Sequence, residues 1–234
     1  MLETNQVQTN PIDKTKLSAE HNIQVLSRIT LTLEDTSINY NISSTTKDFD
    51  ILAVRPTSEK TLQHACTSMD VDIISLDLSV RLPFYLKHST LGSATSRGLF
   101  LEICYSSSLS DSTARRQLLS NASNLVRASR GRGIIISSEA RSAMGLRGPY
   151  DLINLATFWG LSQERGRDTI AENARKVVVT ATTRRGIHKG VLKITQQPEA
   201  KVQKRPAPDG ASEQHPTMGM SKKKLKQMKK LQGQ

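Results

Sequence analysis

Four short apolar runs, Phe49 to Val54, Val71 to Leu78, Leu99 to Tyr105 and Gly133 to Ile136, recur along the chain with helical patterns between them. A run of this length, bounded by turn-forming residues, reads as a strand buried on both faces. Ahead of them, from Gln24, the residues Val25, Ile29, Leu31 and Leu33 stand among polar neighbours, the pattern of a half-buried strand. Strands alternating with helices dictate an α/β fold, a mainly parallel sheet covered by helices. An open doubly wound sheet and a barrel both satisfy the pattern, and periodicity does not choose between them.

The helical segments include Ser58 to Met69 and Ser112 to Arg127, where Leu118, Leu119, Ala122, Leu125 and Val126 share one face. A later helix opens with Pro149 in its first turn, has Asp151 beside it and stops near Gly160; Ser162 caps the next. Residues 1 to 22 are polar and without period, so they read as a flexible leader, and residues 23 to 195 form the body. Residues 196 to 234 hold four of the eight prolines, little apolar content and a closing Lys-rich run, the composition of a disordered tail.

The chain carries 33 Lys and Arg against 21 Asp and Glu, a net charge of +12 that attracts polyanions. The tail does not account for all of it. Residues 115 to 185 hold 13 basic and five acidic residues, and the basic ones are almost all arginine: Arg115, Arg116, Arg127, Arg130, Arg132, Arg141, Arg147, Arg165, Arg167, Arg175, Lys176, Arg184 and Arg185. Guanidinium presents a planar fork of donors that matches phosphate oxygens bidentately. Arg116 and Arg127, 11 residues apart in one helix, fall on one face about 16 Å apart along the axis, away from the leucines. A solvated helix face explains any single arginine equally well. Aromatic residues make up only 4% and are not interleaved with basic ones, which argues against base stacking on single strands and for recognition through phosphates and RNA shape.

No run of about 18 apolar residues is present, and no basic amphipathic segment pairs its charge with Trp or Phe, so a membrane partner is not expected. Cys66 and Cys104 are far apart and outside any Cys-x-x-Cys spacing, and the N-terminus lacks a signal-peptide pattern, which fits two reduced, buried thiols. The Lys222, Lys223, Lys224, Lys226, Lys229 and Lys230 cluster is a candidate nuclear address.

Catalytic constellations are missing. There is no phosphate-binding glycine loop, no nucleophile elbow and no His-Glu-x-x-His, and the five histidines are scattered singly. No catalytic residue, cofactor or metal is therefore expected. One exception is a divergent two-carboxylate metal site from Asp77 and Glu102, which lie toward predicted strand ends.

One stretch goes beyond composition: Gly133-Ile-Ile-Ile-Ser-Ser138, then Arg147-Gly-Pro-Tyr-Asp151 and Phe158-Trp-Gly-Leu-Ser162. With Phe49-Asp-Ile-Leu-Ala-Val-Arg-Pro56, His64-Ala-Cys66, Met69-Asp-Val-Asp72, Leu82-Pro-Phe-Tyr85, Arg97-Gly98, Glu102 and Asp111-Ser-Thr-Ala-Arg-Arg116, it covers roughly residues 23 to 194. These motifs resemble the thirty-kilodalton protein subunit family of ribonuclease P and RNase MRP, itself similar to the PHP phosphoesterase barrels.

The resemblance implies a TIM-like barrel whose metal site is lost. Family members begin with a strand, a helix and a second strand before the equivalent of Gln24, and residues 1 to 22 supply neither strand, so the expectation is a barrel lacking that first unit. The implied role is a noncatalytic subunit that supports 5′ leader removal from precursor tRNA, and rRNA processing, by an RNA subunit. The implied partners are the RNase P or MRP RNA, precursor tRNA, a small companion protein and other holoenzyme subunits, in the nucleus and nucleolus. The contrasting reading is a divergent metal-dependent PHP-type phosphoesterase. In the RNA-binding reading the contacts fall to Arg115, Arg116, Arg127, Arg130, Arg132, Arg141, Arg147, Arg175, Lys176, Arg184 and Arg185. Arg147 sits just before a helix N-terminus, where dipole and free N–H groups favour phosphate, and Ser137 and Ser138 offer rim hydroxyls. Strand-end hydrogen bonding accounts for those serines equally well.

Overall fold

The buried segments assemble into one parallel sheet of five strands: β1 (Arg28–Leu33), β2 (Ile51–Pro56), β3 (Ile73–Ser75), β4 (Phe100–Cys104) and β5 (Ile134–Ser137). The computed structural model describes residues 13–35 and 48–186, with the backbone of 187–188 and 191–192. The chain divides into a unit of residues 1–193 and a second of residues 194–234. The second unit, with the expected Lys-rich tail, lies outside the described residues.

Spatial order equals chain order, β1-β2-β3-β4-β5, and every pairing is parallel. Parallel crossovers are right-handed, so a sheet that never reverses its order stacks its crossover helices on one face. Those helices are α2 (Glu59–Thr67), α3 (His88–Ser96), the short α4 (Ser107–Ser110) and α5 (Ser112–Ser129), followed after β5 by α6 (Pro149–Phe158) and α7 (Gln163–Ile170). Their apolar stripes meet the outward strand residues in one core that joins Leu52, Val54, Ile74, Leu101, Ile103, Ile134 and Ile136 to Leu62, Leu91, Leu118, Leu125, Leu152 and Trp159. The doubly wound alternative is excluded by this order. Among the described residues the sheet is open, with β1 and β5 at its edges.

The last helix, α8 (Glu172–Gly186), packs elsewhere. Its Val177 joins Ala53, Ile73, Phe100 and Ile135 in a second cluster on the opposite face. Asn173 Nδ2 donates to the Ile134 carbonyl at 2.8 Å, Arg184 binds Asp72 and Arg185 binds Asp50. Asp50 and Asp72 immediately precede β2 and β3, so α8 runs across the strand starts from β5 back to β2. A two-residue antiparallel pair, β6 (Ile187–His188) and β7 (Val191–Leu192), follows it.

The flexible-leader expectation needs correction where the residues are described. Asp13 caps α1 (Lys14–His21) by accepting from the Thr15 and Lys16 amides at 3.1 and 3.3 Å, and Lys14 Nζ donates to Asp50 at 2.8 Å. The helix buries no residue, so it leaves no apolar periodicity to read. A cap and an ion pair hold it instead.

Candidate nucleic-acid interface

The C-terminal ends of the strands are where parallel folds gather functional groups. Here β2, β3, β4 and β5 bring Arg55, Ser75, Glu102, Cys104 and Ser137 together on the inner face, and Arg28 reaches Glu102 from the first residue of β1. Glu102 is fully buried. Arg28 holds it with a two-pronged pair, Nη1 to Oε1 and Nη2 to Oε2, the latter at 2.6 Å, and Ser137 Oγ donates to Oε1 at 2.7 Å. Burial pushes the Glu102 carboxyl upward, but the Arg28 hydrogen bonds and charge, with the Ser75 and Ser137 hydroxyls, outweigh it and hold the carboxyl below its ordinary value. Beside it, burial and the Glu102 charge push the Cys104 thiol up to about 12.

This arrangement corrects the two-carboxylate expectation. Both Glu102 oxygens are committed to a guanidinium, and Asp77 instead accepts from the Ser79 amide and hydroxyl at 3.1 and 2.5 Å. The serines are likewise turned inward or to local use. Ser137 serves Glu102, and Ser138 Oγ accepts from the Ala140 amide at 3.3 Å. They close strand ends and do not form a free hydroxyl rim.

The arginines separate into two sets. Arg184 and Arg185 are engaged by carboxylates: half-buried Arg184 grips Asp72 with Nε and Nη2 at 2.9 and 2.7 Å, and exposed Arg185 meets Asp50 with Nη1 at 2.6 Å. Placing Arg184 on an RNA face is therefore corrected, because breaking its pair would strand the buried Asp72 carboxylate at the foot of the sheet; Arg185 shares Asp50 with Lys14 and stays at the surface. Arg115 is also tied down, Nε to the Ser108 carbonyl and Nη2 to the Leu109 carbonyl, both at 3.0 Å, which joins α5 to α4. Arg147 folds onto its own loop, Nη1 donating to the Met144 and Leu146 carbonyls at 2.9 and 2.7 Å, while its amide donates to Tyr105 Oη at 3.1 Å. Lys176 pairs with Glu172 one turn away at 3.6 Å.

The other set is exposed. Arg116, Arg127, Arg130, Arg132, Arg141 and Arg175 lie at the surface, and among the described residues their guanidinium groups have no ion-pair or hydrogen-bond partner. Arg116 and Arg127 both emerge from α5 opposite its buried Leu118, Ala122 and Leu125, as the helical spacing required. Arg130 terminates that helix in the left-handed conformation with φ 56°, which turns the chain through Gly131 and Arg132 into β5.

Two functional groups were missed in the sequence. Arg28 carried no signal, because its partner is 74 residues away. Arg165, one charge among many in the arginine-rich segment, lines a groove of about 620 Å³ with Arg127 and Arg130. A stretch of exposed apolar side chains has no periodic signature in the sequence: Met144, Leu146 and Tyr150, 84%, 56% and 81% exposed, lie between β5 and the first turn of α6.

The chain was compared with known proteins. The family profile described as RNase P subunit p30 matches residues 2–186. "Probable ribonuclease P protein subunit 3" of Schizosaccharomyces pombe is 49% identical, over 78% of this chain and 77% of that protein. "Ribonuclease P protein subunit p30" of Mus musculus is 36% identical, over 75% of this chain and 66% of that protein. "Ribonuclease P/MRP protein subunit RPP1" of Saccharomyces cerevisiae is also 36% identical, over 78% of this chain and 64% of that protein. A chain in the cryo-EM structure of archaeal ribonuclease P with mature tRNA superposes with a TM-score of 0.65 at 17% identity, covering 81% of this chain and 86% of that one, which bears on the fold alone.

Proposed function

The chain belongs to the RNase P subunit p30 family, and on that premise we propose that it is a noncatalytic, RNA-binding protein subunit of ribonuclease P and RNase MRP. In that role it supports 5′ leader removal from precursor tRNA, and rRNA processing, by the RNA subunit. The observation that carries the RNA-binding part is the segregation of charge. The buried carboxylates Asp50, Asp72 and Glu102 are consumed by Lys14, Arg28, Arg184 and Arg185, whereas Arg116, Arg127, Arg130, Arg132, Arg141 and Arg175 stand outside with no salt bridge among the described residues. A surface of uncompensated guanidinium groups is attractive to phosphate and unsuited to packing against itself.

The unreversed strand order supports reading the five strands as an arc of a TIM-like barrel, since a singly wound sheet is what a barrel becomes on closure. The exposed Met144, Leu146 and Tyr150 supply apolar surface for a small companion protein. A nuclear and nucleolar address from Lys222, Lys223, Lys224, Lys226, Lys229 and Lys230 completes the reading, on residues outside those described.

The test is recovery of the full chain from cells with RNA sequencing and mass spectrometry, alongside a variant with Arg116, Arg132, Arg141 and Arg175 changed to Gln. One dominant structural RNA and a fixed set of proteins are expected. The variant's RNA affinity should fall and its salt slope flatten by about one for each phosphate no longer neutralised. A diverse RNA population, or an unchanged slope, overturns the reading.

A further inference from the structure

We infer that the groove between the end of α5 and the start of α7 is a discrete seat for one RNA backbone phosphate, in which Arg165 is a binding residue beside Arg127 and Arg130. The inference rests on the RNA-binding reading and narrows it to a place. Three guanidinium-bearing residues line the groove together with Ser123, Ser162 and Trp159, and no carboxylate is in its walls.

The groove is built by two chain reversals. Arg130 and Gly131 both adopt positive φ, 56° and 67°, to leave α5, and Trp159, Gly160 and Leu161 link α6 to α7. Ser162 caps α7 by accepting from the Arg165 amide at 3.3 Å, and both residues line the groove, so the N-terminal turn of that eight-residue helix borders it, with Glu164 in the same turn outside the lining. Arg165 is held in place over the turn. Its Nη1 donates to the Arg130 carbonyl at 2.8 Å, and a Cβ on Gly131 would come within 2.9 Å of that same nitrogen. The close approach is possible only because residue 131 is glycine.

A second observation also points to an absent partner. Trp159 is 1% exposed and lines the groove, yet its indole N–H is a buried donor with no hydrogen-bond acceptor among the described residues. Buried donors are rarely left so. An oxyanion drawn into the groove brings an acceptor to the wall that Trp159 helps form, among the guanidinium-bearing Arg127, Arg130 and Arg165. A purely structural Arg165, doing no more than binding the carbonyl of the residue that caps α5, explains neither the gathering of Arg127 and Arg130 on the same groove nor the orphaned indole.

Trp159 is the only tryptophan in the chain, so its emission reports on this groove alone. The full chain is titrated with an unmodified tRNA transcript while Trp159 emission and the anisotropy of labelled RNA are followed in parallel. The expected result is a saturable emission change with the same midpoint as the anisotropy. Arg165→Gln is expected to weaken binding about tenfold and lower the salt slope by about one. Arg127→Gln loses no hydrogen bond among the described residues and should lower the slope equally; Arg165→Lys should retain the slope with reduced affinity. Binding by anisotropy with silent Trp159 and unchanged slopes in both Gln variants overturns the phosphate seat while leaving the RNA-binding reading intact. Absence of any binding by anisotropy overturns both.

Discussion

Replacing Arg28 by Ala leaves Glu102, 0% exposed, as an uncompensated carboxylate on the inner face of the sheet. Removing one partner of a buried pair costs about 3–5 kcal/mol, and because the Arg28 side chain keeps 30% exposure the expected loss lies at the low end, about 3 kcal/mol. For a body of this size that lowers the unfolding midpoint by about 6–12 °C. Urea unfolding of the full chain at pH 7 measures it. Adding Glu102→Gln to Arg28→Ala removes the stranded charge and is expected to restore at least half of the loss, which a nonspecific packing defect would not allow. The pH dependence has a definite sign. With Arg28 present, Glu102 titrates below its ordinary 4.5, so its contribution is present above that value and lost as pH falls through the depressed one. Without Arg28 only burial and two hydroxyls act, the carboxyl rises, and acid relieves the strain. The gap between wild type and Arg28→Ala should therefore narrow from pH 7 to pH 4. A variant within about 0.5 kcal/mol of wild type at pH 7, the scatter of ordinary surface substitutions, or a gap independent of pH, would refute the pairing argument.

Asp72→Asn removes the carboxylate that binds both Arg184 and the Leu52 amide, and is expected to cost about 3 kcal/mol and to speed amide exchange in α8 before that in α5; uniform exchange across both helices would contradict the assignment. At Asp50, burial pushes the carboxyl up, but hydrogen bonds from Lys14 and Ser27 and the Arg185 charge prevail and bring it from 3.8 to about 2. Its stabilisation is thus present above pH 3.8 and lost as pH falls toward 2, and Asp50→Asn should flatten that acid limb, as read by NMR titration and acid unfolding. Burial raises the Cys66 and Cys104 thiols to about 12, so neither should react with a thiol reagent at pH 8 until the chain is unfolded; rapid labelling of native protein would count against the packing.

All five strands were legible because burial on both faces leaves continuous apolar runs, and β1 alternates because its inner face carries Arg28, Thr30 and Thr32. The long helix α5 and the Pro149 and Ser162 helix starts were legible for their stripe and caps. What escaped depends on partners distant in sequence. The α1 helix has no buried face, and α8 carries Val177, Val178 and Val179 with three threonines, a composition poor in helix formers that packing of Val177 and Ala181 overrides. The run of arginines marked the basic segment correctly but not its division. Whether a guanidinium is exposed like Arg132 or clamped like Arg184 depends on carboxylates more than a hundred residues upstream.

The return of α8 to the starts of β2 and β3 also bears on the order of assembly. The strand-helix-strand units from β2 to β5 join neighbours in the chain, whereas Arg184 and Arg185 meet acids 112 and 135 residues away. Closing loops of that length comes late and is released early, because its entropy must be met before the bonds form. The foot of the sheet, with Asp50 and Asp72 awaiting their arginines, is therefore the last part of the body to become native and the first to open under heat or protease.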